Sequence, residues 1–199
     1  YPGKNLGAYG DGGAVTTDNA DIAEKLRLLR NIGQKVKYFH EVKGYNHRLD
    51  TMQAAVLSVK LPYLDVWNTS RRRAAATYAD LLAGLPIVTP QTADYADHIF
   101  HLYVVRVADR ESLMDYLKEK GIATGLHYPI PIHLQPAYAE LGYERGDFPI
   151  TEAYAETILS LPIFAELDDE KVAYVAGAIR DFLTSRGEAE SLPVAVAVA

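Results

Sequence analysis

The sequence predicts a mixed α/β chain in which a run of helices leads into a small α+β domain. Two patterns carry this reading. Apolar residues recur three to four apart between Ile22 and Leu81, and a dense β-branched and aromatic run, His98–Val107, opens an alternation of extended and helical segments. The 199 residues, 49% apolar and 23% charged, suffice to bury a core.

Composition narrows the function classes. A net charge of −6 argues against a nucleic-acid surface. The one tight basic run, Arg71-Arg72-Arg73, falls within an expected helix, where a solvated face is the expectation. There is no cysteine, so neither a disulfide framework nor a thiolate metal site is expected. No apolar run approaches a membrane span; no membrane partner and a cytoplasmic location are expected. Residue 1 is Tyr, and the densest motif falls within the first thirteen residues, which leads to the expectation of a fragment.

That motif is Y-P-G-K-N-L-G-A-Y-G-D-G-G, followed by Ala14-Val15-Thr16-Thr17. Its glycines permit positive φ and close approach of backbone to a ligand. A lysine held against such a loop can be desolvated, which favours the neutral amine that a Schiff base requires. The same residues would also serve as a plain turn with a solvated lysine, and spacing alone does not choose. Neither the P-loop nor the G-x-G-x-x-G spacing is present.

Along the chain, Asp18 is the expected N-cap of a first helix carrying Ile22, Leu26 and Leu29, and Gly33 its stop. Residues 34–47 form a polar and aromatic loop. Asp50 and Gln53 have capping-box spacing ahead of a stripe of Leu49, Met52, Val56 and Val59. Pro62 should break that helix, and another should run over residues 63–82 with Trp67, Ala74, Tyr78 and Leu81 on its apolar side. The small domain should hold strand His98–Val107, helix Arg110–Lys120, strand Ile122–His127, a proline-rich loop, helix Thr151–Leu159 and helix Asp168–Leu183, with helices on one face of its sheet. The tail 185–199 should be mobile.

The histidines offer no zincin spacing, and no metal is expected. His127 and Tyr128, ending the expected short strand, could bond a polar ligand or pack under the proline loop. Asn46 could cap a helix or present an amide to a phosphate, and Arg48 could meet an anion or a carboxylate.

Taken together, five blocks in order decide more than any one. The glycine loop, G-Q-K-V-K-Y-F-H-E-V-K-G-Y-N-H-R-L-D-T-M-Q-A-A-V-L, H-I-F-H-L-Y-V-V-R, G-I-A-T-G-L-H-Y-P-I-P-I-H-L-Q-P-A-Y and L-S-L-P-I-F resemble the DegT/DnrJ/EryC1/StrS family of sugar aminotransferases. The resemblance runs over residues 1–183. It implies an α/β fold, the C-terminal portion of the type I aminotransferase fold. Residues 1–48 would be the end of the large pyridoxal-phosphate domain, 49–86 connecting and dimer-interface helices, and 87–184 the small α+β domain.

The resemblance also implies the chemistry. Lys4 matches the lysine that forms the Schiff base with pyridoxal 5'-phosphate and then shuttles protons. Asn46 matches the asparagine that reaches the phosphate of the partner subunit's cofactor in a homodimer with shared sites. Lys35, His127 and Tyr128 match positions near a nucleotide-sugar, with Tyr38 and His133 as weaker matches. The substrate would be a nucleotide-linked keto-deoxysugar and the amino donor glutamate. Relatives that act as dehydratases carry histidine at the lysine position, so Lys4 speaks against that chemistry. Family chains are about twice this long, and the acid facing the ring nitrogen is expected ahead of Tyr1. The residues here are therefore not expected to transaminate alone. A non-catalytic module dimerising through residues 49–82 is the alternative.

Overall fold

The computed structural model describes residues Tyr1–Ser185; the expected mobile tail lies, from residue 186 on, outside the described residues. The chain divides into two units, Tyr1–Asp65 and the remainder from Val66.

The first unit holds helix α1 (Ala20–Arg30), the short antiparallel strands β1 (Gln34–Val36) and β2 (Phe39–His40), helix α2 (Thr51–Lys60) and a 3-10 turn, Leu61–Tyr63, around Pro62. The N-cap of α1 is Asn19 rather than Asp18: Asn19 Oδ1 accepts from the amides of Asp21 and Ile22 at 2.9 and 3.1 Å. Asn19 holds that position because the Thr17 hydroxyl already accepts the Asn19 amide at 3.1 Å, turning the chain one residue later. Gly33 ends α1 as expected, its amide donating to Leu28 O at 2.9 Å with φ of +72°. A Cβ there would stand 1.8 Å from Val42 O, so no other residue fits this crossing.

The expected capping box does not form. Asp50 occupies the N-cap of α2 without a side-chain bond, while Gln53 Oε1 instead accepts the Tyr9 amide at 2.8 Å. The expected stripe on α2 is covered only in part: Leu49 and Val56 are half-buried, while Met52 is 78% and Val59 70% exposed. Neither α1 nor α2 contains a buried residue. Packing within this chain therefore contributes little to either helix, and short isolated helices are marginal in water.

The second unit is built on helix α3 (Leu64–Leu82, its first two residues falling in the first unit), strand β3 (Tyr103–Arg106), helix α4 (Arg110–Glu119), helix α5 (Pro149–Thr157), strand β4 (Ile158–Leu161) and helix α6 (Asp169–Ser185). Two 3-10 turns, Ile132–Leu134 and Pro136–Leu141, lie within the proline-rich loop. Strands β3 and β4 pair antiparallel, Tyr103 opposite Leu161 and Val105 opposite Leu159, and these four side chains are buried. They join Tyr78 and Leu82 of α3, Leu113 and Leu117 of α4, and Val172 and Ile179 of α6 in one core. Each such fully buried aliphatic side chain contributes roughly 1.5–3 kcal/mol.

Four expectations are corrected here. The strand expected over His98–Val107 shrinks to Tyr103–Arg106, because the His98 ring accepts the Phe100 amide at 2.8 Å and Phe100 takes a φ of +43°. Ile122–His127 is not a strand; Gly125 alone bridges to Ser160. The helix expected to reach Leu159 ends at Thr157, whose carbonyl accepts the Val107 amide at 3.0 Å and whose hydroxyl accepts from Arg106 Nε at 3.0 Å. Those bonds carry the chain into β4. Finally, Arg71 is not on a solvated face. It is 8% exposed, and its Nη1 donates to the carbonyls of Phe100, His101 and Ile163 at 3.1, 3.3 and 3.1 Å. On α6, Asp168 is the cap, accepting the Lys171 amide at 2.8 Å.

Candidate functional site

In the first unit the glycine loop begins with a turn closed by the Lys4 amide on Tyr1 O at 3.1 Å. Gly7 allows it to fold tightly, since a Cβ there would meet Pro2 O at 2.3 Å. Two lysines attend the loop. The Lys60 ammonium donates to Gly7 O at 2.5 Å, while Lys4 is exposed. The run Ala14–Thr17 lies in no helix and, among the described residues, in no strand pairing.

Lys35 lies on β1 and forms an ion pair with Glu24 of α1. That hydrogen bond and the carboxylate's charge hold the Lys35 amine above its ordinary range and the Glu24 carboxyl below its own. Lys35 lines an open groove of about 1340 Å³ together with Asn31, Gln34 and Arg48. Asn46 lies opposite Asn31 in an isolated antiparallel bridge, and its Oδ1 accepts from Arg48 Nη2 at 3.4 Å. It does not cap α2. Tyr38 has a φ of +74° and is 78% exposed, its amide held by Gln34 Oε1 at 3.0 Å.

In the second unit, His127 and Tyr128 open the proline-rich loop, joined by a cis peptide bond. His127 Nδ1 lies 2.8 Å from Ser160 Oγ of β4, and Tyr128 is 69% exposed with its ring edge against His127. The His133 side chain is largely covered: its Nε2 lies 3.0 Å from Glu152 Oε1 in the first turn of α5. Glu152 also accepts the Gly146 amide at 2.9 Å and the Phe148 amide at 3.2 Å. Burial works to raise its pKa, but the Gly146, His133 and Phe148 bonds outweigh it and hold the carboxyl below its ordinary value.

Each unit thus gathers some of the expected residues. Lys4, Lys35 and Asn46 share the first unit, and His127, Tyr128 and His133 share one loop of the second. Sequence reasoning missed Ser160 and Glu152. Their only signal is polar character within otherwise apolar, element-forming stretches, and that signal is common.

Residues 1–180 match the model of the DegT/DnrJ/EryC1/StrS aminotransferase family. The chain is 51% identical over 185 residues to a pleiotropic regulatory protein of Geobacillus stearothermophilus, covering 92% of this chain and 50% of that relative. It is 49% identical over 183 residues to the dTDP-3-amino-3,4,6-trideoxy-alpha-D-glucose transaminase of Streptomyces venezuelae, covering 92% and 48%. Among solved structures it resembles S. venezuelae DesV in complex with a ketimine intermediate, with a TM-score of 0.89, 49% identity and coverage of 92% of this chain and 50% of that one. The chain spans about half the length of the curated relatives it matches.

Proposed function

Because the chain belongs to the DegT/DnrJ/EryC1/StrS aminotransferase family, whose fold it shares, we propose that it works in pyridoxal-phosphate-dependent transamination of a nucleotide-linked keto-deoxysugar. The amino donor in this reading is glutamate. The working unit is a cytoplasmic homodimer in which residues of both subunits meet each site. The observation that carries the reading is an exposed Lys4 on a glycine loop within a chain that matches this family almost from end to end.

The residues fit the cofactor's reactive and phosphate ends. Lys4, exposed on the glycine loop, is the amine for a covalent attachment, while Lys60 donates to the Gly7 carbonyl of the same loop. Asn46 supplies a neutral amide suited to a phosphate oxygen. The bound cofactor supplies an electron sink that weakens a C–H bond next to nitrogen. Lys4 Nζ takes up and returns the proton of that bond. Lys35 meets the anionic part of the nucleotide-sugar, exchanging its Glu24 partner for phosphate. His127 and Tyr128 contribute hydrogen bonds from the second unit.

The chain's own residues include no assigned acid for the ring nitrogen, and neither α1 nor α2 contains a fully buried residue. Both points support the further reading that these residues alone do not transaminate. Visible cofactor absorbance with turnover by this polypeptide in isolation would contradict it. The main reading is tested in the full-length protein by supplying keto-deoxysugars linked to thymidine, uridine or guanosine diphosphate together with glutamate. Formation of an amino sugar and 2-oxoglutarate is expected; no amino sugar from any of them contradicts the reading.

A further inference from the structure

The loop from Tyr128 to Leu141 has almost no apolar cover: Tyr128, Ile130, Ile132 and Leu141 are 69, 48, 73 and 57% exposed. A segment with so little buried surface gains little from the hydrophobic effect and is placed by its polar anchors. At its start the anchor is Ser160, through His127. Within it, six residues after His127, the anchor is His133, on Glu152 of α5.

We propose that Glu152 is a positioning residue which, through His133, anchors the loop carrying His127 and Tyr128 and thereby sets affinity for the nucleotide-sugar. This rests on the functional reading above, in which those two residues meet that substrate. The bonds from Gly146 and Phe148 are local and would close the turn ahead of α5 in any case. The His133 bond is different in kind, joining two separate segments, with both side chains 8% exposed. A carboxylate taken that far from water is tolerated only with its oxygens satisfied, and here three donors do so. The His133 ring also packs on Phe148, ring centroids 4.7 Å apart, so the contact has an apolar wall as well as a bond. Between the two anchors, Pro129 and Pro131 fix φ and leave little slack. Fixing His127 and His133 therefore fixes Tyr128 between them.

The test compares wild type with Glu152→Ala, Glu152→Gln and His133→Phe in the full-length protein. Amide hydrogen exchange over residues 128–134 should quicken about tenfold in Glu152→Ala and His133→Phe, with Glu152→Gln intermediate because its amide oxygen still accepts. Unchanged protection in Glu152→Ala overturns the anchor, whether or not the protein proves to be a sugar aminotransferase. For catalysis, the two half-reactions separate positioning from general damage. KM for the nucleotide-sugar should rise about tenfold in Glu152→Ala while the half-reaction with the amino donor stays within about twofold. Equal losses in both half-reactions, or a lowered Tm with KM unchanged, would assign Glu152 a purely structural role and overturn the proposal. A wild type that turns over no keto sugar counts against the functional reading alone, since the exchange measurement does not depend on it.

Discussion

Ser160 Oγ lies 2.8 Å from His127 Nδ1, and the backbone of the same serine exchanges both its bonds with Gly125, at 2.8 and 3.1 Å. One residue of β4 therefore holds the start of the proline-rich loop by side chain and main chain together. Replacing it as Ser160→Ala removes only the side-chain part. Stability should fall by about 1 kcal/mol, the usual net worth of such a bond. Affinity for the nucleotide-sugar should fall further than stability does, and calorimetric titration beside a urea melt would show the difference.

Two stacked tyrosines should respond in opposite ways to loss of a hydroxyl. Tyr78 Oη donates to Pro162 O at 3.0 Å, whereas Tyr103 Oη, also buried, has no hydrogen-bond partner. Tyr78→Phe should cost about 1 kcal/mol, and Tyr103→Phe should be neutral or stabilising in urea denaturation.

The same pair bears on alkaline stability. Burial pushes the Tyr103 hydroxyl up to about 12 and the Tyr78 hydroxyl higher still. Their folded pKa values exceed their unfolded ones, so the stability they confer is complete below pH 10 and is lost as pH rises through the folded values. Tyr103→Phe should flatten the decline between pH 10 and 12, measured by urea midpoints across that range.

Arg71 and Arg73 are neighbours in one basic run but not in environment. Arg71→Ala strips three carbonyls of a charged donor and should cost about 3 kcal/mol or more. Arg73 meets Asp169 at 3.5 Å with both side chains more than half exposed, and Arg73→Ala should stay within about 0.5 kcal/mol. Thermal melts of the two variants decide this.

Glu152 gives an acid-side signature. Its folded pKa lies below its unfolded value, so its contribution is present at neutral pH and is lost as pH falls through the folded value. Glu152→Gln should abolish that part of the acid destabilisation, leaving a shallower dependence of Tm on pH below 5.

How much of this was legible in the sequence varies by residue. The α1 stop at Gly33 follows from local chemistry that only a few side chains satisfy, and so does a cap at Asp168 or Asp169, of which the structure uses Asp168. The extended reading of His98–Leu102 failed because β-branched and aromatic density does not report a histidine accepting an amide two residues on. Arg71 looked solvated because charge runs usually are, and its burial depends on three carbonyls up to 92 residues away. The family, too, was legible, because five ordered blocks constrain more than any single motif. Ser160 and Glu152 were not, since their partners come from distant segments and a lone polar residue is common in any helix or strand.

The proposed attachment of the cofactor to Lys4 has a direct chemical test. The full-length protein, incubated with pyridoxal phosphate, reduced with borohydride and digested, should yield a phosphopyridoxyl group on the peptide containing Lys4, and Lys4→Arg should abolish it. A label confined to Lys60 or any other lysine, or no label at all, would contradict the account and favour a non-catalytic module of the same fold.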